Sequence, residues 1–147
     1  MALAQLKQAW AKRALSVTRA CAVNVAKGLR SPQKEQSYQR ALAIELALQT
    51  YMTSLEHPCP VLYTASNGSA SVLSHERIDI LSTHGKLHWS FIIEVKRGPN
   101  VNIKSAREQA IRYCQNLTSA GYRQLVAGIV VVFSDKVPTV ELAWTSH

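Results

Sequence analysis

The sequence predicts an α/β fold, a mixed sheet flanked by helices, from two observations. Three stretches repeat apolar residues at three- and four-residue steps, the period of an amphipathic helix. Around them lie runs rich in Val, Ile, Phe, Tyr and Thr, the composition of strands. In chain order these read helix, helix, three strands, helix, two strands.

The first helix spans roughly residues 3–28, because Leu3, Leu6, Trp10, Ala14, Val17 and Cys21 recur at helical spacing and Gly28 closes it. Ser31-Pro32 restarts the chain as an N-cap and first-turn proline. The second helix then runs from about Gln33 to about Leu55, ended by Pro58. Its inward stripe is Tyr38, Leu42, Glu45, Leu48 or Gln49, and Met52, which sets Glu45 in the middle of an apolar face. A glutamate snorkelling from the edge of the stripe is the plain alternative.

Val61 to Thr64 is a short strand, and Asn67-Gly68 signals a hairpin turn. Ser71 to Leu81 and Leu87 to Lys96 follow as strands, joined by the polar segment 82–86. Both faces of the earlier one are mixed, so alternation alone does not place Asp79 inward. His75 and Arg77 share its side and could bind phosphate or simply reach solvent. Arg97-Gly98-Pro99-Asn100 breaks the third strand. A helix from about Asn102 to Ala120 carries Ile103, Ala106, Ala110, Tyr113 or Cys114, and Leu117 inward, with Gly121 as its C-cap. Arg112 stands four residues after Glu108, a spacing that allows them to pair. Leu125 to Phe133 is continuously apolar and reads as a central strand covered on both faces. Residues 135–138 turn the chain into an edge strand at Val140–Trp144.

A chain of 147 residues suits one domain, spanning 1–147: a basic helix at 1–30, a core at 33–134 and an edge strand at 139–144. Its apolar content of 47% and charged content of 18% fit a soluble globular protein, and no apolar run approaches the roughly 20 residues of a membrane span. Cys21, Cys59 and Cys114 are odd in number and scattered, which favours reduced thiols in an intracellular protein, cytoplasmic or nuclear. His57 and Cys59 lack a second pair at zinc-finger spacing, so zinc is not expected. The net charge of +8 is uneven, for residues 1–34 hold seven basic residues and no acid. That first helix could grip a polyanion, present a solvated face while it docks, or direct organellar import.

The chemistry concentrates in Phe91-Ile92-Ile93-Glu94-Val95-Lys96 and the preceding Ile78-Asp79-Ile80. Alternation puts Glu94 and Lys96 on one face and Trp89, Phe91, Ile93 and Val95 on the other. Charges beside so apolar a run are costly unless used. A hairpin would gather Asp79, Glu94 and Lys96, a set suited to metal and phosphate. On the following helix, Gln109 and Tyr113 lie one turn apart, where both can hydrogen-bond; a surface Gln and a core Tyr are the plain reading.

Acid, spacer, then acid-any-lysine on adjacent strands resembles the PD-(D/E)XK nuclease superfamily, with Ile78 where the name has proline. Gln109-x-x-x-Tyr113 downstream resembles the helix motif of RecB-type exonucleases and GxxExxY proteins. The resemblance covers about residues 33–134 and implies a restriction-endonuclease-like core, α-β-β-β-α-β, here with an added N-terminal helix and C-terminal strand. It implies metal-dependent hydrolysis of phosphodiester bonds, in DNA rather than RNA. Mg²⁺ or Mn²⁺ would be held by Asp79, Glu94, the Val95 carbonyl and a first-helix glutamate, for which Glu45 is the candidate. Lys96 would orient the attacking water or steady developing charge, and Gln109 and Tyr113 would position the reacting groups. Lys7, Lys12, Arg13, Arg19, Arg77, Arg97 and Lys104 are the candidate phosphate contacts, and a homodimer would reach two strands. Endonuclease and exonuclease modes both stay open. So do two other classes: an inactive nucleic-acid-binding protein on this fold, and an assembly protein with a buried salt bridge.

Overall fold

The computed structural model describes residues 2–29, 33–64, 66–68, 70–134 and 137–146, with the backbone alone at 62–64 and 70–75. Helices α1 (Leu3–Gly28) and α2 (Glu35–Leu48) precede strands β1 (Tyr51–Thr64), β2 (Ala70–His84) and β3 (Ser90–Arg97). Helix α3 (Ile103–Ser119), β4 (Leu125–Phe133) and β5 (Thr139–Thr145) complete the chain. The strands form one sheet in the order β1-β2-β3-β4-β5. Only β3 and β4 run parallel, joined by α3 as the crossover; the other neighbours are antiparallel. The order of elements and the mixed sheet are those expected.

Helices cover both faces. On one, α1 and α2 pack on Trp89, Phe91, Ile93, Val95, Ile129, Val131 and Phe133. This is the wholly apolar face read from β3. On the other, α3 lays Ala106, Ala110, Tyr113, Cys114 and Leu117 against Ile92, Leu125 and Val130. All nine residues of β4 are buried, as befits a strand with neighbours on both edges and helices on both faces. The side chain of Asn102 caps α3, its Oδ1 accepting the Ser105 N–H at 3.0 Å. An ion pair of 2.7 Å from Arg107 to Glu141 ties the helix to β5.

Helix α1 is anchored by a different stripe from the one its large residues suggest. Ala11, Ala14, Thr18, Cys21, Ala22 and Val25 are buried, whereas Leu3 is exposed. Small side chains let a helix approach its neighbours closely, and the larger ones lie at the margins of the contact.

Helix α2 stops at Leu48, seven residues before the expected end, and β1 begins at Tyr51 rather than at Val61. Helical periodicity through Met52 is overridden by long-range burial. Thr50 turns to a left-handed φ of 69°, and its carbonyl lies so near Gly85 that a Cβ there would stand 2.7 Å away. Tyr51 then pairs with His84 and meets Trp89 and Phe91 edge-on, at ring separations of 5.8 and 5.6 Å. Pro58 and Pro60 lie within β1 instead of ending a helix, which an edge strand tolerates. Asn67-Gly68 lies in the β1–β2 turn, with Gly68 at φ 84°. The β2–β3 reversal comes at 85–87, slightly later than expected. The Ser31-Pro32 helix start lies outside the described residues; α2 itself begins at Glu35, after Lys34.

Gly128 of β4 is closely covered by α3, so that a Cβ there would lie 2.6 Å from Cys114 Sγ. Gly128→Ala is expected to cost about 1–3 kcal/mol through overpacking. Cys114→Ala removes the obstructing atom, so the double variant should lose less than the two single losses combined. Urea unfolding of the three variants measures the coupling, and strict additivity would show that Gly128 is not confined by Cys114.

Candidate active site

The candidate site lies where β2 and β3 part. Their ladder runs only from Ile80↔Ile93 to Thr83↔Ser90, while the β1–β2 ribbon continues to Thr64↔Ala70. The parting coincides with a kink in the ribbon. Glu56 on β1 adopts a left-handed φ of 49°, and the pairing skips from Leu55↔Ile80 to His57↔Ile78. As a result Ile80 is buried under α1 and α2, while Ile78, two residues earlier, joins the cluster under α3. Regular alternation would have kept both on one face. Asp79 sits at this break, which is why the pattern of β2 alone could not aim it.

Asp79 fills the fork. Its Oδ2 accepts the Val95 N–H at 2.8 Å, replacing the ladder bond that β2 no longer supplies. Within a strand, the amide and carbonyl of one residue point the same way, so the Val95 carbonyl faces the fork as well. Glu94 is only 2% exposed on the α3 side, with Oε1 3.7 Å from Lys96 Nζ. Its Oε2 is buried and receives no donor from the described residues, with the Asp79 carboxyl beside Glu94 as a group that could share its proton. Burial, then the Asp79 carboxylate beside it, holds the Glu94 carboxyl far above the ordinary range.

Glu45, the candidate first-helix acid, is not brought to this cluster. Its Oε2 accepts a hydrogen bond from Asn24 Nδ2 at 3.4 Å, and its charge acts on Cys21 of α1. The α2 acid within electrostatic range of the fork is Glu35, the first residue of the helix. Burial raises its pKa, and it feels the charges of Lys96, Asp79 and Arg97. Its position follows from Tyr38, whose ring stacks on Phe133 at 4.6 Å. Phe133 pairs with Arg97, so the first turn of α2 is pinned over the end of β3 that carries Glu94 and Lys96. The sequence held one clue to Glu35, an acid in the first turn, but helix-dipole preference explains that equally well.

On α3, Gln109 Nε2 donates to Tyr113 Oη at 2.7 Å, the contact their spacing allows. Burial lifts the Tyr113 phenol to about 12; the Gln109 bond opposes this, and the Glu94 charge adds to it. Tyr113 is therefore within electrostatic reach of the fork. Arg112 pairs with Glu76 of β2 at 2.6 Å, not with Glu108, because α3 lies directly on the ribbon.

The basic residues are less uniform than their sequence suggests. On α1, Lys7 Nζ donates to Ser146 Oγ, Arg19 donates to the Val140 carbonyl, and Arg13 lies beside Tyr51. Lys12 is exposed. This helix packs on α2, β4 and β5, on the sheet face away from Glu94. Arg77 donates to the Glu56 carbonyl at the ribbon's kink. Arg97 and Lys104 are exposed near the end of β3 and the start of α3. The His75 side chain lies outside the described residues.

Among the described residues, no three His, Cys, Asp or Glu side chains close into a ready-made metal cage. The fork nevertheless suits a hard divalent cation. It offers two carboxylates on adjacent strands, an orphaned Glu94 oxygen and a backbone carbonyl, all oxygen donors. A cation between the carboxylates would relieve the repulsion that raises the Glu94 pKa.

The folded protein holds the Glu94 proton more tightly than the unfolded chain does. Stability of the metal-free protein should therefore fall as pH rises above the ordinary carboxylate value, since unfolding then releases that proton. Glu94→Gln has no proton to lose there; it should match wild type near about pH 4 and be the more stable near about pH 8. Thermal unfolding with a chelator at both values is the check, and a variant less stable at the higher pH would show that Glu94 is not a strained acid.

No curated protein matches the sequence. No helix among the described residues is long and apolar enough to cross a membrane. Residues 12–141 match the PD-(D/E)XK nuclease superfamily, a span that begins within α1 and ends within β5. With its five-stranded mixed sheet, flanking helices and strand-borne acids, the chain belongs to the PD-(D/E)XK nuclease superfamily.

Proposed function

We propose that this chain is a divalent-metal-dependent nuclease that hydrolyses phosphodiester bonds, acting on DNA rather than RNA. One observation carries the reading: Asp79 is inserted into the fork beside a buried, incompletely bonded Glu94, with Lys96 3.7 Å away. A pair of carboxylates held together in this way destabilises the fold unless a cation or a shared proton joins them.

Asp79, Glu94 and the Val95 carbonyl would hold Mg²⁺ or Mn²⁺, with Glu35 in the place first assigned to Glu45. The ion, when bound, acts as a Lewis acid and lowers the pKa of coordinated water. The rest belongs to the chain's own groups. Lys96 is partly exposed at the mouth of the fork, where its ammonium can meet a phosphate oxygen while Glu94 fixes its direction. The Tyr113 hydroxyl is a donor at neutral pH, as any tyrosine is, and burial keeps it so well into the alkaline range. Gln109 holds that hydroxyl in place. Arg97 and Lys104, both exposed, are the candidates for contact with the flanking phosphates. Lys7, Arg13 and Arg19 serve first to dock α1, and Lys12 and Arg77 are candidates for weaker, more distant contacts.

Asp79→Ala and Glu94→Ala should each abolish cleavage of DNA in Mg²⁺ or Mn²⁺, as should EDTA with wild type. Parallel assays on DNA and RNA oligonucleotides test the preference, and near-normal cleavage by either variant would remove the fork from the reaction.

The two α2 glutamates are separable. Glu35→Gln should lower single-turnover cleavage by at least about tenfold, equivalent to about 1.4 kcal/mol of barrier, and raise the metal concentration required. Glu45→Gln should leave both near wild type, since its side chain faces Asn24. The reverse ranking would restore Glu45 as the helix ligand.

A further inference from the structure

Beside the fork lies an open cavity of about 380 Å³, walled by the 97–102 loop and the first turns of α3. Lys96 and Gln109, both placed in the reacting site above, form part of its wall, so whatever enters it adjoins the scissile phosphate. Lys96 and Arg97 line it as cations, and among the described residues no Asp or Glu does. The remaining wall is mixed: Asn100 and Ser105 offer an amide and a hydroxyl, while Pro99, Val101 and Ala106 offer apolar surface.

The volume and the lining fit different parts of one ligand. A bare phosphate subsite needs cations and N–H donors in a small space. This open groove has room for a small organic molecule laid along it, one side left to solvent. An amide and a hydroxyl beside apolar carbon are what a nucleobase requires, hydrogen bonds for its edge and contact for its face. A base inside a duplex is stacked and paired, and reaching such a cavity would cost several kcal/mol of unstacking. An unpaired base does not carry that cost.

Building on the nuclease reading, we propose that the cavity receives one unpaired nucleotide next to the scissile bond, its phosphate toward Lys96 and Arg97 and its base toward Asn100 and Ser105. The substrate class is therefore a single strand, or a frayed or flapped end, rather than an intact duplex. Gly98 permits the wall to bend as it does, with φ at 115°, a value side-chain-bearing residues rarely adopt. Asn102 holds the opposite corner by capping α3 through Ser105 N–H. Asn100 and Ser105 are themselves exposed, so they are accessible to a ligand and replaceable with little effect on the core.

Two measurements test this separately from the nuclease reading. In the first, thymidine 5′-monophosphate and deoxyribose 5-phosphate are titrated into the full-length protein and followed by backbone amide NMR. The expected result is that the nucleotide shifts the amides of residues 98 and 100–105 and binds about tenfold more tightly than the base-free sugar phosphate. Ser105→Phe, which fills the cavity, and Asn100→Ala should both erase that difference. Equal binding of the two ligands would reduce the site to a phosphate contact and overturn the proposal, as would an absence of shifts in this segment.

In the second, an oligonucleotide is cleaved as a single strand and as a blunt duplex. Wild type should prefer the single strand by at least about tenfold, and Ser105→Phe should narrow the ratio. Equal rates on both by wild type would also overturn the proposal. If the nucleotide binds at residues 98–105 and neither substrate is cut under any metal, the cavity assignment stands and the nuclease reading fails.

Discussion

The hydrogen bond from the Val95 amide to Asp79 Oδ2 is the contact on which the site depends. Two strands that stop pairing expose backbone groups, and buried ones left without partners are costly. Here a side chain takes the place of the missing ladder bond, so the sheet can open without orphaning that amide. The same bond fixes the aspartate. One oxygen is occupied by the backbone, and the carboxylate is held beside Glu94 at the position where the chain has already kinked at Glu56. The geometry that satisfies the backbone is thus also what brings two acids together.

That arrangement opposes stability. Glu94 is almost wholly buried with the Asp79 carboxylate beside it, and Lys96 at 3.7 Å offsets its charge only in part. A well-packed apolar residue at this position would give a more stable sheet. Strain of this kind is concentrated at the fork, while β4 on the other side of β3 is uniformly apolar and buried. The rigid half of the sheet fixes the position of the unstable half. Tyr113 extends the pattern, since a buried phenol near an anion stays protonated and remains a donor.

Helices contribute by being pinned at particular points. Tyr38 on Phe133 fixes the start of α2 at the end of β3 and so delivers Glu35. Arg112 to Glu76 and Arg107 to Glu141 tie α3 to β2 and to β5, on opposite sides of the helix that bears Gln109 and Tyr113. Both pairs are partly exposed, and each alone contributes little to stability. Their effect is on register, holding α3 over the fork with one wall of the adjoining cavity in its first turns.

Much of this was legible in the sequence, because it depends on neighbours along the chain. The alternation of β3 set Glu94 and Lys96 on one face and Phe91, Ile93 and Val95 on the other, and the structure keeps that division. The unbroken apolar run of β4 announced a central strand, and the one-turn spacing of Gln109 and Tyr113 allowed their hydrogen bond. What the sequence left open are features decided by partners far away in the chain. The end of α2 was set by Tyr51 entering the aromatic cluster of β3 and by Gly85 approaching Thr50, against a helical pattern that continued to Met52. Asp79 was aimed by a kink across the ribbon at Glu56, which no periodicity within β2 records. Glu45 holds the centre of the stripe read from the sequence, yet the residues α2 buries are Tyr38, Gln39, Leu42, Ala43 and Leu46; Glu45 meets Asn24 of α1, and the α2 acid coupled to the fork is Glu35 at the helix start. Local spacing determines which residues share a face; only the packing of elements determines what that face meets.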